Sequence, residues 1–491
     1  MSIKITTKFL PKGTVGKEYS CQLTAEVSPP TKIIWRTFNP LPSGLSLNSK
    51  TGLISGICKE TFKGVLGIEI QSISPKQEAS KMLSLIVTKS KPVNPPTINS
   101  FTADWISDDS DDLELVWDVE NATEVYLQLL PAPLTTMTSG LIITPTPEYP
   151  ILSRYTLVAT NESGSVTSTI ETTSLEEVEN SPVAAGYLPM AVAESYAVSG
   201  VFVGSSIDDG NFIGLNSKTL SPMPNSPAPL SHSWSIAVSY DGLQVFSTAG
   251  FNVMVLDAKT LTNVQGSPFS TVGDARILAL SHDLPDSSYG SRLYVVSQIE
   301  MTPNNMNRMY LQVFDANTFE EILSKKLLEE TPSSIIVSND GARIYLTNGY
   351  SDTVTVLSSD TLDPIPESPI LVGKRPCATG FSPCGSLVYV GNQDSSSITI
   401  LEAKTLQPTR SAVTVEFKPY DLVVSPDGLR IYTANGSFNS VTMLSSETLK
   451  GSTFPAGSQT LEVCASRDGS RIYATNYTDN TLSVFRPVLE L

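Results

Sequence analysis

The chain holds only two histidines, His232 and His282, so a multi-histidine metal or haem centre cannot be assembled from it. Its five cysteines are odd in number and include no Cys-x-x-Cys pair, which argues against a disulfide framework and against a thiolate metal or redox motif. Cys377 and Cys384 stand seven steps apart; along a strand over 377–382 their α-carbons lie far beyond the roughly 7 Å that a bridge allows. They read as free thiols. Cys21 and Cys58 could pair only if strands of one domain bring them together, and two small buried side chains are the favoured reading. Carboxylates cluster over Asp104–Glu114, with Asp108, Asp109, Asp111 and Asp112, and again at Asp208-Asp-Gly-Asn211. They offer oxygens to Ca²⁺ but lack the spacing of a calcium loop, so both read as solvated turns. No Gly-x-Ser-x-Gly, Gly-x-x-x-x-Gly-Lys or His-Glu-x-x-His run occurs. No catalytic or metal-ligating set is assigned, and no cofactor is expected.

What must position any remaining function is set by the bulk numbers. At 491 residues the chain is long enough for about three domains. Charged residues are 16%, against about 25% in a typical soluble protein, and Ser and Thr alternating with Val, Ile and Leu take their place. That composition predicts an all-β chain. The net charge of -17 repels phosphates and anionic headgroups, so nucleic-acid binding is disfavoured. Residues 1–19 carry spread lysines and no apolar run of seven, unlike a secretory signal, and no stretch reaches the roughly 20 apolar residues of a spanning helix. Synthesis in the cytoplasm without membrane insertion is expected, with release in a particle or by a signal-independent route.

A repeat organises the second half. Tyr420-Asp-Leu-Val-Val-Ser-Pro-Asp-Gly-Leu-Arg-Ile-Tyr-Thr-Ala-Asn435 and Ser334-Ile-Ile-Val-Ser-Asn-Asp-Gly-Ala-Arg-Ile-Tyr-Leu-Thr-Asn348 each read strand, tight turn, strand. The turn glycine recurs at Gly200, Gly242, Gly290, Gly341, Gly385, Gly428 and Gly469, a period of 41 to 51 residues. Asp precedes it in four units, a pair suited to the positive φ angles of a hairpin. An aromatic follows at Phe202, Phe246, Tyr294, Tyr345, Tyr389, Tyr432 and Tyr473, and a Thr-Leu or Thr-Phe pair at Thr219, Thr260, Thr318, Thr361, Thr405 and Thr448 closes the third strand. One β-meander per unit, seven times, predicts a seven-bladed propeller over 181–491. Ser181-Pro182, Gly186 and Pro189 echo Ser368-Pro369, Gly373 and Pro376, so residues 181–188 are expected to supply the outer strand of blade seven and close the ring.

With Tyr345-Leu-Thr-Asn348, Tyr389-Val-Gly-Asn392, Tyr432-Thr-Ala-Asn435 and Tyr473-Ala-Thr-Asn476, residues 181–491 resemble the YVTN family of seven-bladed β-propellers. The resemblance implies a fold and little about activity, because these residues serve packing and turns. Propeller lactonases exist in this broad group, but no matching set of channel residues is found.

Two β-sandwich domains are expected ahead of the propeller, at 1–90 and 91–180. Leu41-Pro-Ser-Gly-Leu-Ser-Leu-Asn-Ser-Lys-Thr-Gly-Leu-Ile-Ser-Gly56 resembles the Ig-like and cadherin-like repeats of bacterial surface and phage structural proteins. Lys91-Pro-Val-Asn-Pro-Pro96 reads as an extended spacer. Leu113–Val119 alternates like a half-buried strand, and Tyr155–Thr167 reads as a hairpin resembling the last two strands of an immunoglobulin-like sandwich. The resemblance sets Tyr155 at the corner tyrosine, Trp117 at the core tryptophan and Leu157 where antibody domains have cysteine. Ser174-Leu-Glu-Glu-Val-Glu-Asn180 reads as a second spacer.

Blade three is irregular: insertions of about six and eight residues, read as lying outside the sheet, enlarge its two connections. The candidate binding residues are therefore Gln298, Met301, Asn304, Asn305, Met306, Arg308 and Met309, a loop whose methionines suit a partner surface. The expected function is a non-enzymatic binding or assembly protein, a particle component or surface adhesin, with a protein or glycan partner and several copies per assembly. The alternatives are a lactonase-like hydrolase or a cytosolic interaction scaffold.

Overall fold

The computed structural model describes residues 2–73, 76–89, 94–107, 111–128, 138–147, 149–207, 211–230, 232–281, 291–299 and 308–490. Among them strand dominates, and the one helical element is the 3-10 turn Tyr196–Val198. The chain forms two compact units, Met1–Pro96 with Thr160–Ser165, and Thr97–Ala159 with Val166–Leu491.

In the first unit, Ile33–Thr37, Phe62–Ser72, Glu78–Thr88 and Gly13–Thr14 make one sheet, and Glu18–Gln22, Leu53–Ile57 and Leu45–Leu47 another. Trp35, Ile54, Leu66, Ile68 and Leu85 fill the space between them. The expected hairpin turns at Asn48, whose side-chain oxygen accepts the N–H groups of Lys50 (3.0 Å) and Thr51 (3.1 Å). Gly52 closes that turn at φ +76°, where a Cβ would lie 2.8 Å from the Trp35 ring. Cys21 and Cys58 are both unbridged.

The second unit begins with a sandwich. Thr97–Trp105, Leu113–Glu120 and Thr138–Ile143 form one sheet; Glu124–Leu127, Arg154–Asn161 and Gly164–Glu177 begin the other. Leu113, Leu115, Trp117 and Val119 point inward with alternate residues outward, and the Tyr155 hydroxyl accepts the Leu152 N–H at 3.0 Å. The expected spacer at Ser174–Asn180 is a strand over its first half. Glu171 through Glu177 pair with Glu490 through Phe485 of the C-terminal strand Thr481–Glu490. One sheet therefore runs from the sandwich into the last blade. The charges of Glu176 and Glu177 concealed this, but Leu175 is buried among Tyr432 and Phe485 of the propeller, while Leu489 is buried in the sandwich core.

Seven blades follow. Their inner strands, Pro189–Ser195, Ile236–Val238, Asp274–Leu280, Pro332–Val337, Pro376–Phe381, Asp421–Val424 and Thr460–Ala465, pack in ring order, the last against the first. Val183 and Ala184 pair with Leu482 and Thr481, so the segment after Ser181 is the outer strand that closes the wheel. The blade aromatics are buried, at most 4% exposed. Asn348, Asn392, Asn435 and Asn476 staple the second strand to the third; Asn435 donates to Ser440 Oγ at 3.0 Å and to Thr442 Oγ1 at 2.8 Å.

The turns differ from expectation in three ways. Only the glycine takes positive φ, as in Gly242 (+74°) and Gly341 (+73°); the preceding Asp keeps ordinary backbone and acts as an acceptor. Asp241 Oδ1 takes the Ser239 hydroxyl (2.6 Å) and the Leu243 N–H (3.0 Å). In blade one the left-handed residue is Ser199 (φ +48°), and Gly200 is the first residue of the strand. The Thr-Leu pairs lie in the turn beyond the third strand: Leu220, Leu261, Leu362, Leu406 and Leu449 sit at φ +54° to +62° and are at most 4% exposed. Burial of each leucine between blades offsets the roughly 1–2 kcal/mol cost of that conformation.

Blade three also departs. Its second and third strands, Arg292–Ile299 and Arg308–Asp315, run eight residues against six in blade four, and Ile299 pairs with Arg308. Part of the larger insertion thus lengthens the ladder instead of leaving the sheet.

Asp111, read as part of a solvated turn, is 7% exposed and bound by Arg471 Nε at 2.9 Å and Lys218 Nζ at 3.3 Å. It ties the sandwich to blades seven and one. Removing one partner of such a buried pair strands the other charge. Asp111→Ala is expected to cost about 3–5 kcal/mol in urea unfolding, with near-ultraviolet signals from sandwich and propeller lost in one transition.

Candidate functional site

Short inner strands leave backbone N–H groups facing the central channel, and side chains of neighbouring blades satisfy them. At blades six and seven these side chains are carboxylates, and Glu194 of blade one reaches a turn N–H of blade seven. Asp421 Oδ2 accepts the Val463 N–H at 3.0 Å, Glu462 accepts the Val192 N–H, and Glu194 Oε2 accepts the Arg467 N–H at 3.4 Å. Burial pushes Glu194 up to about 8, with Asp468 adding to the rise and Arg467 opposing it. Burial likewise pushes Asp421 up to about 6, and raises Glu462 well above the ordinary carboxylate range with Asp421 as the second cause.

At the face bearing the turns between first and second strands, the channel opens into two adjoining cavities. One of about 820 Å³ is lined by Tyr240, Asn339, Phe381, Cys384, Arg467 and Pro147; one of about 680 Å³ by Glu194, Tyr196, Asp241 and again Tyr240, Arg467 and Pro147. The Arg467 guanidinium lies 4.7 Å from the Tyr240 ring centroid and donates to the Tyr240 carbonyl at 2.9 Å. Pro147 belongs to the second sandwich, held over this mouth by the Tyr196 hydroxyl on the Pro145 carbonyl (3.3 Å), by the Ile151 N–H on the Asp468 carbonyl (2.7 Å) and by Ser153 on Asp427. Cys384 occupies the place where other blades have the turn Asp; hydroxyls of Ser382 and Ser386 lower its thiol to about 7. The mouth thus joins a proton-holding carboxyl, a guanidinium, a ring face and an accessible thiol, a set suited to holding a polar ligand. Among the described residues no group of three His, Cys, Asp or Glu is placed to hold a metal ion.

The opposite face carries the turns between second and third strands. Phe251, Tyr350 and Phe438, each in such a turn, are 66%, 90% and 48% exposed. His232 also lies toward this side, just ahead of the inner strand of blade two.

Of the residues singled out in blade three, Gln298 is half-buried and Arg308 exposed at the end of the lengthened hairpin. Met309 is 6% exposed within the core and presents nothing to a partner. Met301, Asn304, Asn305 and Met306 lie outside the described residues, as do His282, Asp108, Asp109, Asp208 and Asp209. Sequence reasoning missed Glu194, Asp421 and Glu462. Their signal was a carboxylate within an otherwise apolar inner strand, as in Pro189-Met-Ala-Val-Ala-Glu-Ser195.

Comparison with known proteins agrees with this architecture. The family model described as "Putative Ig domain" matches residues 3–88, and that described as "Lactonase, 7-bladed beta-propeller" matches residues 290–416. No curated protein matches. Among solved structures, the Kuenenia stuttgartiensis hydrazine synthase is similar at TM-score 0.50 and 17% identity, covering 64% of this chain and 100% of its own. A chain of a mitotic checkpoint complex is similar at TM-score 0.49 and 16% identity, covering 65% and 93%. At such identity the likeness to hydrazine synthase is one of fold.

A carboxyl whose pKa rises on folding keeps its proton in the folded chain where the unfolded chain has lost it, so stability falls as pH rises between the two values. For Glu194 that window runs from 4.5 to about 8. Glu194→Gln is expected to flatten the fall in melting temperature between the two ends of this window, measured by scanning calorimetry, leaving the smaller slope due to Asp421 and Glu462.

Proposed function

We propose that this chain is a non-enzymatic binding or assembly protein in which the sandwich-bearing face of the propeller is a mount and the opposite face is the recognition surface. The observation that carries the reading is the asymmetry of the two faces. One is engaged by the second sandwich through Asp468, Asp427 and Tyr196; the other presents Phe251, Tyr350 and Phe438 to solvent. Exposed rings on rigid turns bind at little entropic cost. The Tyr-x-x-Asn repeats suit this reading in the manner of YVTN propellers, whose repeats build a scaffold. The partner is a protein or a glycan, engaged by several copies, in a released particle such as a phage tail or injection apparatus, or at a cell surface.

A second reading, a lactonase-like hydrolase, is favoured by the family match over residues 290–416. It would use the channel mouth, with Arg467 polarising an ester carbonyl.

Purified full-length protein is expected to form a defined oligomer in light scattering, or to bind immobilised glycans or cells; a uniform monomer that binds neither overturns the first reading. Lactone hydrolysis, with and without Ca²⁺ or Mg²⁺, that falls at least about tenfold in Arg467→Ala would replace it with the second.

A further inference from the structure

A contiguous stripe crosses blades four to six on the face opposite the sandwich. It begins at Tyr350, 90% exposed. The neighbouring Gly349 packs beside Arg375, whose Cγ would lie 3.6 Å from a Cβ placed there, and the Arg375 N–H donates to Asp352 Oδ1 at 2.8 Å. Arg375 and Lys418 then converge from two blades on one carboxylate, Asp394, at 4.0 and 3.6 Å. Beyond Lys418, Phe417 packs against Phe438 with ring centroids 5.1 Å apart. Following these links along the turns, the residues come in the order ring, cation, carboxylate, cation, ring. The three charged side chains are 59%, 45% and 46% exposed, so each keeps hydrogen-bonding capacity toward solvent.

We propose that this stripe is a glycan-binding site for a neutral oligosaccharide, an inference that rests on the binding reading above. Two features select that chemistry. A carboxylate flanked by a guanidinium and an ammonium offers acceptors between donors, the complement of vicinal hydroxyls, each of which donates one hydrogen bond and accepts another. Exposed flat rings at either end match the flat C–H faces of pyranose units, burying apolar area without an enclosed pocket. Local charge also selects: Lys374, Arg375 and Lys418 are balanced by Asp352, Asp394 and Glu416, leaving no net charge to draw a polyanion or a basic peptide.

The test uses the full-length protein on a printed panel of neutral oligosaccharides, with maltohexaose, cellohexaose, chitohexaose and mannohexaose then titrated by calorimetry. The expected result is binding to at least one of them that persists at about 0.5 M NaCl, where exposed ionic contacts are screened. Tyr350→Ala and Asp394→Asn are each expected to weaken it by about tenfold or more, the loss of one stacking surface or one charge-assisted hydrogen bond. Phe9→Ala, an exposed ring in the first unit and outside the stripe, should leave it unchanged. Binding that Tyr350→Ala and Asp394→Asn leave intact overturns the stripe while the binding reading stands. The same holds for binding of a protein ligand through Tyr350 with none of the panel sugars held at millimolar concentration.

Discussion

The structure of the second unit depends on one strand, Thr481–Glu490, and on what covers its outer edge. A propeller leaves the third strand of its last blade with a row of unpaired N–H and C=O groups, open to any other edge. Here two upstream segments share that edge end to end, Val183–Ala184 on Leu482 and Thr481, and Glu171–Glu177 on Glu490 through Phe485. The first closes the wheel. The second makes the sandwich part of the same sheet, and the exchange of Leu175 and Leu489 between the two cores joins their hydrophobic energies. Neither fold is complete without the other's chain end.

The same seam concentrates charge. Elsewhere around the channel, hydroxyls link the inner strands: Ser235 Oγ accepts the Leu278 N–H at 3.2 Å, and the Ser334 and Thr379 hydroxyls bond each other at 3.0 Å. At blades six and seven the corresponding groups are Asp421 and Glu462, and Glu194 of blade one binds the Arg467 N–H in the turn of blade seven. Buried carboxylates hold a backbone N–H more strongly than hydroxyls do, and their desolvation raises their proton affinity. The joint of the ring therefore gathers carboxyls whose proton affinity burial raises. Arg471 and Asp111, buried beside it, bind the sandwich to blade seven by a second and ionic route.

Consequences for function follow from the mount. Because the sandwich engages the turns of blades six and seven, Pro147 reaches the rim of the cavities at that mouth, and ligand access there is shaped by a different domain. The other face has its aromatic turns free. In the binding role proposed above, a rigid disc held from one side and exposed on the other would separate attachment from recognition.

Much of this was legible in the residues. The turn glycines, the blade aromatics and the echo of Ser368-Pro369 in Ser181-Pro182 predict seven blades and their closure, because turn chemistry and strand alternation are local and repeat with the chain. The resemblance to an immunoglobulin-like sandwich also places Trp117 and Tyr155 in the core, where both are buried. Local pattern misreads what depends on a distant partner. Glu176 and Glu177 suggested a solvated spacer, Asp111 a solvated turn and Met309 a partner surface, yet each sits where the tertiary fold supplies a strand, a guanidinium or a core. Sequence by itself determined the number and kind of the repeating units; only the folded chain decided how the sandwich is joined to them, which carboxylates face the channel and which rings are left in water. The reason is range: turns and strand periodicity arise between residues a few positions apart, whereas pairing of Glu171 with Glu490 or of Asp111 with Arg471 joins groups more than three hundred residues apart, whose meeting no local pattern encodes.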